Sequence, residues 1–206
     1  MTIRPGIRPA GDRAVLVELP GNATVRKLAR LVPRGLAGID EVVAGHETVL
    51  ISWEPGRRPP VDLEARLSAM LSSSSTEGEG GSIDVPVVYD GPDLAAVAEH
   101  AGVSPEEVVR RHLASRFEVG FVGFAPGFAY LLGGDPSLRP PRLDEPRTKV
   151  PAGSLAIAGE YSAVYPSESP GGWNLIGRAL IEPFDLHRDP PALLQTGMHV
   201  HFVESS

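Results

Sequence analysis

The chain has 206 residues, of which 42% are hydrophobic and 22% charged, an ordinary balance for a globular protein with one or two cores. It contains no cysteine, which excludes disulfides, a thiol nucleophile and thiolate metal sites. The net charge of −7 argues against nucleic-acid binding, because phosphate contact requires a basic surface. The chain has no apolar run of about 18 residues and no apolar signal core near its N-terminus, so we expect a cytoplasmic protein.

The first 71 residues combine strand and helix patterns. Apolar alternation, caps and turn residues predict a strand over 14–19, a helix over 25–32, a hairpin of two strands over 39–45 and 47–53, and a helix over 61–71. This order is most of a ferredoxin-like split β-α-β arrangement and requires one more strand. Residues 82–90 could supply that strand.

Residues 72–82, SSSSTEGEGGS, form a low-complexity segment without apolar side chains. This composition is typical of a flexible linker. We therefore predict an α+β domain over residues 1–82 and a second domain over residues 83–206. A long surface loop inside a single domain is the alternative.

Residues 93–113 predict two short helices hinged at Gly102, the second with Ser104 as its cap. The pattern imitates a DNA-binding helix-turn-helix. However, the helix that would read the bases begins with Glu106 and Glu107, whose charges oppose the phosphates. We expect these helices to cap the second domain instead.

From residue 116 onward short strand patterns alternate with turn residues, as in a closed or nearly closed β-barrel. The predicted strands are 117–124, 154–159, 163–166, 174–180 and 199–204. Residues 121–178 are also dense in proline, glycine and aromatic side chains. This mixture predicts short strands joined by rigid turns that shape a surface.

The stretch from Phe121 to Arg178 carries several motifs in one order. They are GFAPGFAYL at 123–131, Pro-Arg at 141–142 and again at 146–147, VPAGSLAIAG at 150–159, Tyr-Pro at 165–166 and SPGGWNLIGR at 169–178. These blocks resemble the allophanate hydrolase subunit 1 family. That family includes the B component of bacterial 5-oxoprolinase, a domain of urea carboxylase and the kinase inhibitor KipI.

The resemblance implies a cyclophilin-like barrel in the second domain. It also implies a subunit of an ATP-dependent 5-oxoprolinase, which opens 5-oxoproline to glutamate. The implied partners are an allophanate hydrolase subunit 2 family protein (PxpC-like) and an A component (PxpA-like), with ATP and Mg used by the complex. The alternatives are a KipI-like inhibitor of a histidine kinase and a carboxyltransferase component of a urea carboxylase or allophanate hydrolase system.

The residues supply no clear nucleophile or metal site. Ser154 and Ser169 lie beside glycines but lack the strand-turn-helix context of a hydrolase serine. His199 and His201 alternate on one predicted strand without an accompanying carboxylate cluster. We therefore expect the chain to provide half of a composite site, completed by its partner.

Cations give the more informative signal. Arg142, Arg147, Lys149 and Arg178 lie in the rigid stretch, where guanidinium groups could bind a carboxylate or phosphate. We predict an anion site made of these residues, with Tyr165 beside them. The alternative is that Arg142 and Arg147 form surface ion pairs with Asp144 and Glu145.

Aromatic residues supply the other part of the predicted surface. Phe124, Phe128, Tyr130 and Trp173 are candidates for a pocket or partner interface. Phe128 and Trp173 each follow glycine, a setting typical of an exposed turn.

Two further residues complete the candidate site. His112 could serve as an acid or base, with helix packing as the alternative. Glu160 follows AIAG, where relatives often carry glutamine, so its charge would alter any substrate contact at that position.

Overall fold

The computed structural model describes residues 5–73 and 80–205, apart from the side chain of Arg34. The chain divides into two compact units, Met1–Gly78 and Glu79–Ser206, and each has a hydrophobic core of its own. None of the helices in the described residues is long and apolar enough to cross a membrane.

The N-terminal unit is a four-stranded antiparallel sheet with two helices. Its elements are β1 (Gly6–Pro9), β2 (Ala14–Glu18), α1 (Asn22–Gly35), β3 (Ile39–Ala44), β4 (Thr48–Trp53) and α2 (Leu63–Ser72). The predicted first strand, hairpin and helices are confirmed. Helix α1 ends at Gly35, three residues after the predicted end at residue 32. Pro33 is tolerated because it lies in the last turn, where its missing N–H removes only one backbone hydrogen bond.

The sheet order is β1-β2-β4-β3. The additional strand that the sequence pattern requires is therefore β1, which pairs with β2 from Gly6↔Glu18 to Pro9↔Val15. The prediction that residues 82–90 could complete this sheet is wrong, since they pair within the second unit. Alternate residues of β2 and β4 form a core with the helices, including Val17, Ile51 and Leu67, each 0% exposed.

Within its described residues, 80–205, the second unit contains nine strands and two helices. They are β5 (Gly80–Val88), α3 (Leu94–Ala101), α4 (Pro105–Ala114), β6 (Phe117–Val122), β7 (Ala129–Leu132), β8 (Arg147–Val150), β9 (Ser154–Ala158), β10 (Tyr161–Val164), β11 (Ser169–Gly171), β12 (Asn174–Ala179) and β13 (Met198–Glu204). Seven of the strands close a barrel in the order β10-β7-β6-β13-β5-β12-β9, which confirms the predicted barrel. Strands β8 and β11 form a separate two-stranded ribbon.

Helices α3 and α4 cap the barrel as predicted. The Ser104 hydroxyl accepts a hydrogen bond from the Glu107 N–H at the start of α4. Val97 and Val108 are buried in the barrel core, and Leu94 and Val103 pack against it. This face of the helices is therefore occupied by the barrel, as expected for a cap.

The predicted domain boundary at residue 82 lies inside β5, which begins at Gly80. Most of the predicted linker falls on residues 74–79, which are outside the described residues. The linker character of that segment stays a prediction.

Candidate functional site

The ribbon of β8 and β11 holds the most informative cation. Arg147 begins β8, opposite Gly171. Its Nη2 donates a hydrogen bond of 2.6 Å to Asp93 Oδ1. Its Nη1 is buried and has no hydrogen-bond partner among the described residues. A buried charged donor without a partner is costly, so this nitrogen is a candidate ligand contact.

Asp93 holds the arginine from the loop before α3. Its second oxygen, Oδ2, accepts a hydrogen bond of 2.7 Å from the Leu175 N–H on β12. The Asp93 N–H in turn donates to the Leu175 carbonyl at 3.0 Å. The Asp93 side chain is only 12% exposed. The alternative, in which Arg147 pairs with Asp144 or Glu145, is therefore wrong, because its carboxylate partner is Asp93.

Arg142, Arg147 and Tyr165 come together at the ribbon. The Tyr165 hydroxyl lies against Gly171, where an added Cβ would collide with it. Burial raises the pKa of Tyr165, and the positive charges of Arg142 and Arg147 oppose that rise. Arg142 is exposed and makes no hydrogen bond or ion pair with the described residues. Two guanidinium groups and a protonated phenol can all donate to one oxyanion.

The other two predicted cations lie in exposed ion pairs. Lys149 contacts Glu168 at 3.2 Å, and its side chain is 76% exposed. Arg178 contacts Asp90 at 3.0 Å, with 55% of its side chain exposed. Both cations are therefore held by surface carboxylates, Lys149 by Glu168 and Arg178 by Asp90.

The aromatic residues form a second hydrophobic cluster outside the barrel core. Phe128, Val150, Tyr165, Trp173 and Leu175 are among its buried members, with Tyr130 packed against them. The Phe128 ring stands edge-on to Tyr165 at 5.3 Å and to Trp173 at 5.7 Å.

The expected exposure of Phe128 and Trp173 is wrong, because they are 2% and 5% exposed. The glycines before them let the chain turn and direct both rings inward. Contact between either ring and a partner stays a prediction.

Phe124 is the exposed aromatic residue of this region. It has φ of 70°, which is uncommon for a residue with a side chain, and its ring is 64% exposed. The Ala125 N–H donates to the Gly123 carbonyl at 2.9 Å, closing a tight three-residue turn around Phe124. A second turn follows, closed by the Phe128 N–H on the Ala125 carbonyl at 3.0 Å. The loop therefore presents the Phe124 ring on a constrained backbone.

His112 lies on α4 and is buried inside the barrel unit. Its Nδ1 is 2.8 Å from the Tyr89 hydroxyl and its Nε2 is 3.2 Å from the Ser162 hydroxyl. The ring packs between Phe117 and Phe202, each with a centroid 4.8 Å away. Burial lowers the pKa of His112 to about 3, so the ring is neutral near pH 7. This placement fits the packing alternative.

The pairing of Ser162 with His112 does not form an accessible catalytic pair. Ser162 is 1% exposed and His112 is 2% exposed. The cavity that they line has a volume of about 10 Å³, enough for a single water molecule. Glu160 lies in the turn between β9 and β10 and lines this cavity, so its charge is not at the ribbon.

The remaining candidates for chemistry differ in their contacts. The Ser169 hydroxyl on β11 is buried and has no hydrogen-bond partner among the described residues. The Ser154 hydroxyl donates to the Pro151 carbonyl at 2.8 Å. His199 and His201 lie on β13 opposite Ser82 and Asp84 of β5. Within residues 5–73 and 80–205, no three His, Asp or Glu side chains are arranged to hold a metal ion.

Sequence reasoning missed Asp93. The signal was present, since the segment YDGPD at 89–93 follows a strand and precedes a helix with two carboxylates. Each carboxylate pairs with an arginine of the signature stretch, Asp90 with Arg178 and Asp93 with Arg147. The partners are 54 residues apart in the buried pair, so only the fold reveals the contact.

Comparison with models of protein families identifies the family of this chain. Residues 5–194 match the family model described as "Carboxyltransferase domain, subdomain C and D". The chain belongs to this carboxyltransferase-domain family. Three relatives named as the B component of 5-oxoprolinase confirm the resemblance to the family of that component.

Two of these relatives match over nearly the full chain. The Escherichia coli O157:H7 protein is 39% identical over 202 residues, 94% of this chain and 93% of the relative. The Haemophilus influenzae protein is 37% identical over 207 residues, 96% of each chain. The Bacillus subtilis protein is 40% identical over 148 residues, 70% of this chain and 61% of the relative.

Solved structures share the architecture. TTHA0988 is 34% identical with a TM-score of 0.78, covering 94% of this chain, which spans 40% of that longer chain. PH0987 from Pyrococcus horikoshii is 35% identical with a TM-score of 0.60, and 98% of each chain is covered. The Kluyveromyces lactis urea carboxylase is 22% identical with a TM-score of 0.75, covering 98% of this chain and 22% of that one. At that identity the likeness concerns the fold alone.

Proposed function

We propose that this carboxyltransferase-family chain is the B component of an ATP-dependent 5-oxoprolinase, which opens the lactam ring of 5-oxoproline to glutamate. The observation that carries the proposal is the 37–39% identity, over more than nine tenths of the chain, to two relatives named as that component. The partners would be an allophanate hydrolase subunit 2 family protein (PxpC-like) and an A component (PxpA-like). The barrel would be cyclophilin-like and the N-terminal unit ferredoxin-like.

The contribution of this chain would be to bind and orient the substrate. 5-Oxoproline carries one carboxylate, for which Arg142, Arg147 and Tyr165 would supply three donor side chains. In support, the Tyr165 hydroxyl lies against Gly171, the strand partner of Arg147, and both guanidinium charges act on it. A carboxylate held by charge-assisted hydrogen bonds fixes the position of the attached ring. The reacting amide would then face groups supplied by the partner protein.

ATP, with Mg, would enter at the level of the complex. Transfer of the γ-phosphoryl group to the lactam oxygen, with ADP leaving, would make the ring carbon electrophilic. Attack of water at that carbon and protonation of the ring nitrogen would break the C–N bond and leave the γ-acyl phosphate of glutamate. A second water would hydrolyse this acyl phosphate to glutamate and inorganic phosphate. This chain's arginines would hold the substrate during these steps.

The proposal is tested by reconstitution. The protein is purified with its two proposed partners, the subunit 2 family protein and the A component. Glutamate formation from 5-oxoproline and ATP is then measured with and without this chain. The proposal predicts that omission abolishes ATP-dependent glutamate formation. Full activity without this chain would exclude the proposed role.

The alternatives have weaker support. The likeness to the K. lactis urea carboxylase concerns the fold alone. No contact within the described residues favours the binding of a histidine kinase. We therefore retain 5-oxoprolinase as the proposed activity.

A further inference from the structure

Asp93 determines which nitrogen of Arg147 is available. An arginine and a carboxylate commonly form a fork with two parallel hydrogen bonds. Here Asp93 accepts from Nη2 through Oδ1 alone, and its Oδ2 is taken by the Leu175 N–H. Arg147 is therefore held through one nitrogen, and Nη1 keeps its donors without a partner among the described residues.

The anchoring of Asp93 makes this arrangement rigid. Its carboxylate binds the backbone of β12 at 2.7 Å, and its own N–H binds the Leu175 carbonyl at 3.0 Å. An arginine free to rotate loses part of its rotamer entropy when it binds a ligand. Because Asp93 already fixes the guanidinium group in the unbound protein, Arg147 loses less rotamer entropy when the ligand binds.

The charges at the site also bear on the ligand. Asp93 pairs with Arg147, and Arg142 is a second guanidinium whose positive charge acts on Tyr165. Two guanidinium groups, one of them already paired with a carboxylate, suit a monoanion such as a carboxylate. A triphosphate would require more positive charge or a metal ion.

We propose that Asp93 is the positioning residue of a carboxylate site formed by Arg147 Nη1, Arg142 and the Tyr165 hydroxyl. The proposal rests on the proposed function for the identity of the ligand, which would be the carboxylate of 5-oxoproline. Asp93 does not touch the substrate. It acts by holding the Arg147 guanidinium with Nη1 directed to the ligand.

Chemical rescue tests the positioning role. In Arg147→Ala, free guanidinium at millimolar concentration can occupy the space of the lost side chain and pair with Asp93. We expect Arg147→Ala to bind 5-oxoproline about 10-fold to 100-fold more weakly, since a charge-assisted hydrogen bond is lost. Added guanidinium should restore part of this affinity, as measured by calorimetry on the chain alone and in the assembled complex.

The double variant Asp93→Asn/Arg147→Ala lacks the carboxylate that would hold guanidinium, so no rescue is expected. Asp90→Asn/Arg147→Ala is the matched control, because Asp90 lies in the same loop but pairs with Arg178 at the surface. When guanidinium is added, this control should regain as much affinity for 5-oxoproline as Arg147→Ala does. Equal rescue in all three proteins would overturn the positioning role.

Single variants test the inference if guanidinium does not enter the space left by the Arg147 side chain. Arg147→Lys keeps the charge but loses the forked geometry, so it should bind 5-oxoproline about as weakly as Arg147→Ala. Asp93→Asn should also bind 5-oxoproline weakly, and a cooperative thermal melt should show that this variant is folded. Affinity equal to that of the unaltered protein in both would overturn the inference, as would preferential binding of inorganic phosphate or ATP.

Failure of this inference is distinguishable from failure of the proposed function. If the complex requires this chain for glutamate formation but 5-oxoproline binding ignores Arg147 and Asp93, the inference falls and the function stands. If the unaltered chain binds neither 5-oxoproline nor phosphate, alone or in the complex, the inference is also overturned. Binding without oxoprolinase activity would keep the site and remove the proposed function.

Discussion

The two units of this protein use polar and aromatic side chains differently. In the N-terminal unit the buried core is aliphatic apart from Trp53. Among the described residues of this unit, the polar residue that is buried is Asn22. Eleven of the twelve aromatic residues lie in the barrel unit. The barrel unit also buries Asp93 and His112, each with specific hydrogen-bond partners.

This difference separates residues that support the fold from residues that could do chemistry. The N-terminal sheet needs only its apolar face and two helices to form a core. The barrel unit has its own core and, in addition, a second cluster rich in aromatic residues and the part-buried Arg147–Asp93 ion pair. Buried polar groups are costly unless they are paired, so their concentration in one unit points to a function there.

We expect the largest effect from a substitution that breaks the Arg147–Asp93 ion pair. Arg147→Ala should lower turnover of 5-oxoproline by the complex about 10-fold to 100-fold, because one charge-assisted contact is lost. It should also reduce the free energy of unfolding by about 1–3 kcal/mol, because the largely buried Asp93 carboxylate loses its cation and keeps only the Leu175 N–H. Kinetic assays and urea denaturation measure the two effects.

Arg66→Ala is the matched control in the N-terminal unit, where Arg66 pairs with Asp62 at 2.9 Å on the surface. It should change turnover less than twofold and stability by less than about 1 kcal/mol. Equal effects of the two substitutions would contradict the contrast between the units.

A core substitution in the N-terminal unit should affect stability without affecting the site. Leu67 on α2 is 0% exposed, so Leu67→Ala should cost about 2–5 kcal/mol through lost burial and a residual cavity. The affinity of the folded variant for 5-oxoproline should stay unchanged. Denaturation and calorimetry check both statements, and weakened binding by the folded variant would place the N-terminal core in the site.

The buried histidine predicts a loss of stability in acid. The pKa of His112 is about 3 in the folded chain and 6.5 in the reference state, so the unfolded chain binds the proton first. Stability from the neutral ring is therefore complete above pH 6.5 and is lost as pH falls towards 3, by up to about 1.4 kcal/mol per pH unit.

Urea denaturation at several pH values measures this slope. His112→Phe should be less stable at pH 7, because Tyr89 and Ser162 lose their partner, but its stability should depend less on acid. The same acid dependence in both proteins would show that other groups cause it.

The smallest effect concerns the constrained loop. Phe124→Gly should keep stability or raise it by up to about 1 kcal/mol, because glycine tolerates a positive φ and the ring is mostly exposed. Its co-purification with the partner should weaken if the ring lies in that interface. A stability loss like that of a buried phenylalanine would contradict the exposed placement.

Local patterns predicted much of the fold. The hairpin of β3 and β4, the two N-terminal helices and the Ser104 cap follow from short-range periodicity and capping chemistry. The short β1 was missed because GIRP offers proline and no alternation. The assignment of β5 was ambiguous, because a strand pattern does not reveal which sheet the strand joins.

The candidate site could be predicted only in part. The motifs around Arg142, Arg147 and Tyr165 identified residues that the fold brings together. The inward direction of Phe128 and Trp173 was missed, since a glycine before an aromatic residue is compatible with either side of a turn. Asp93 was missed because its partner lies far along the chain, and sequence spacing does not report such contacts.

The most direct measurement is the response of the arginine side chains to substrate. The chain is labelled with ¹⁵N-arginine, assembled with its proposed partners and titrated with 5-oxoproline, and the guanidinium signals are assigned from Arg142→Lys, Arg147→Lys and Arg66→Lys. We expect 5-oxoproline to shift the signals of Arg142 and Arg147 and to leave that of Arg66 unchanged. Unshifted Arg142 and Arg147 signals in a complex that turns over 5-oxoproline would contradict the proposed carboxylate site.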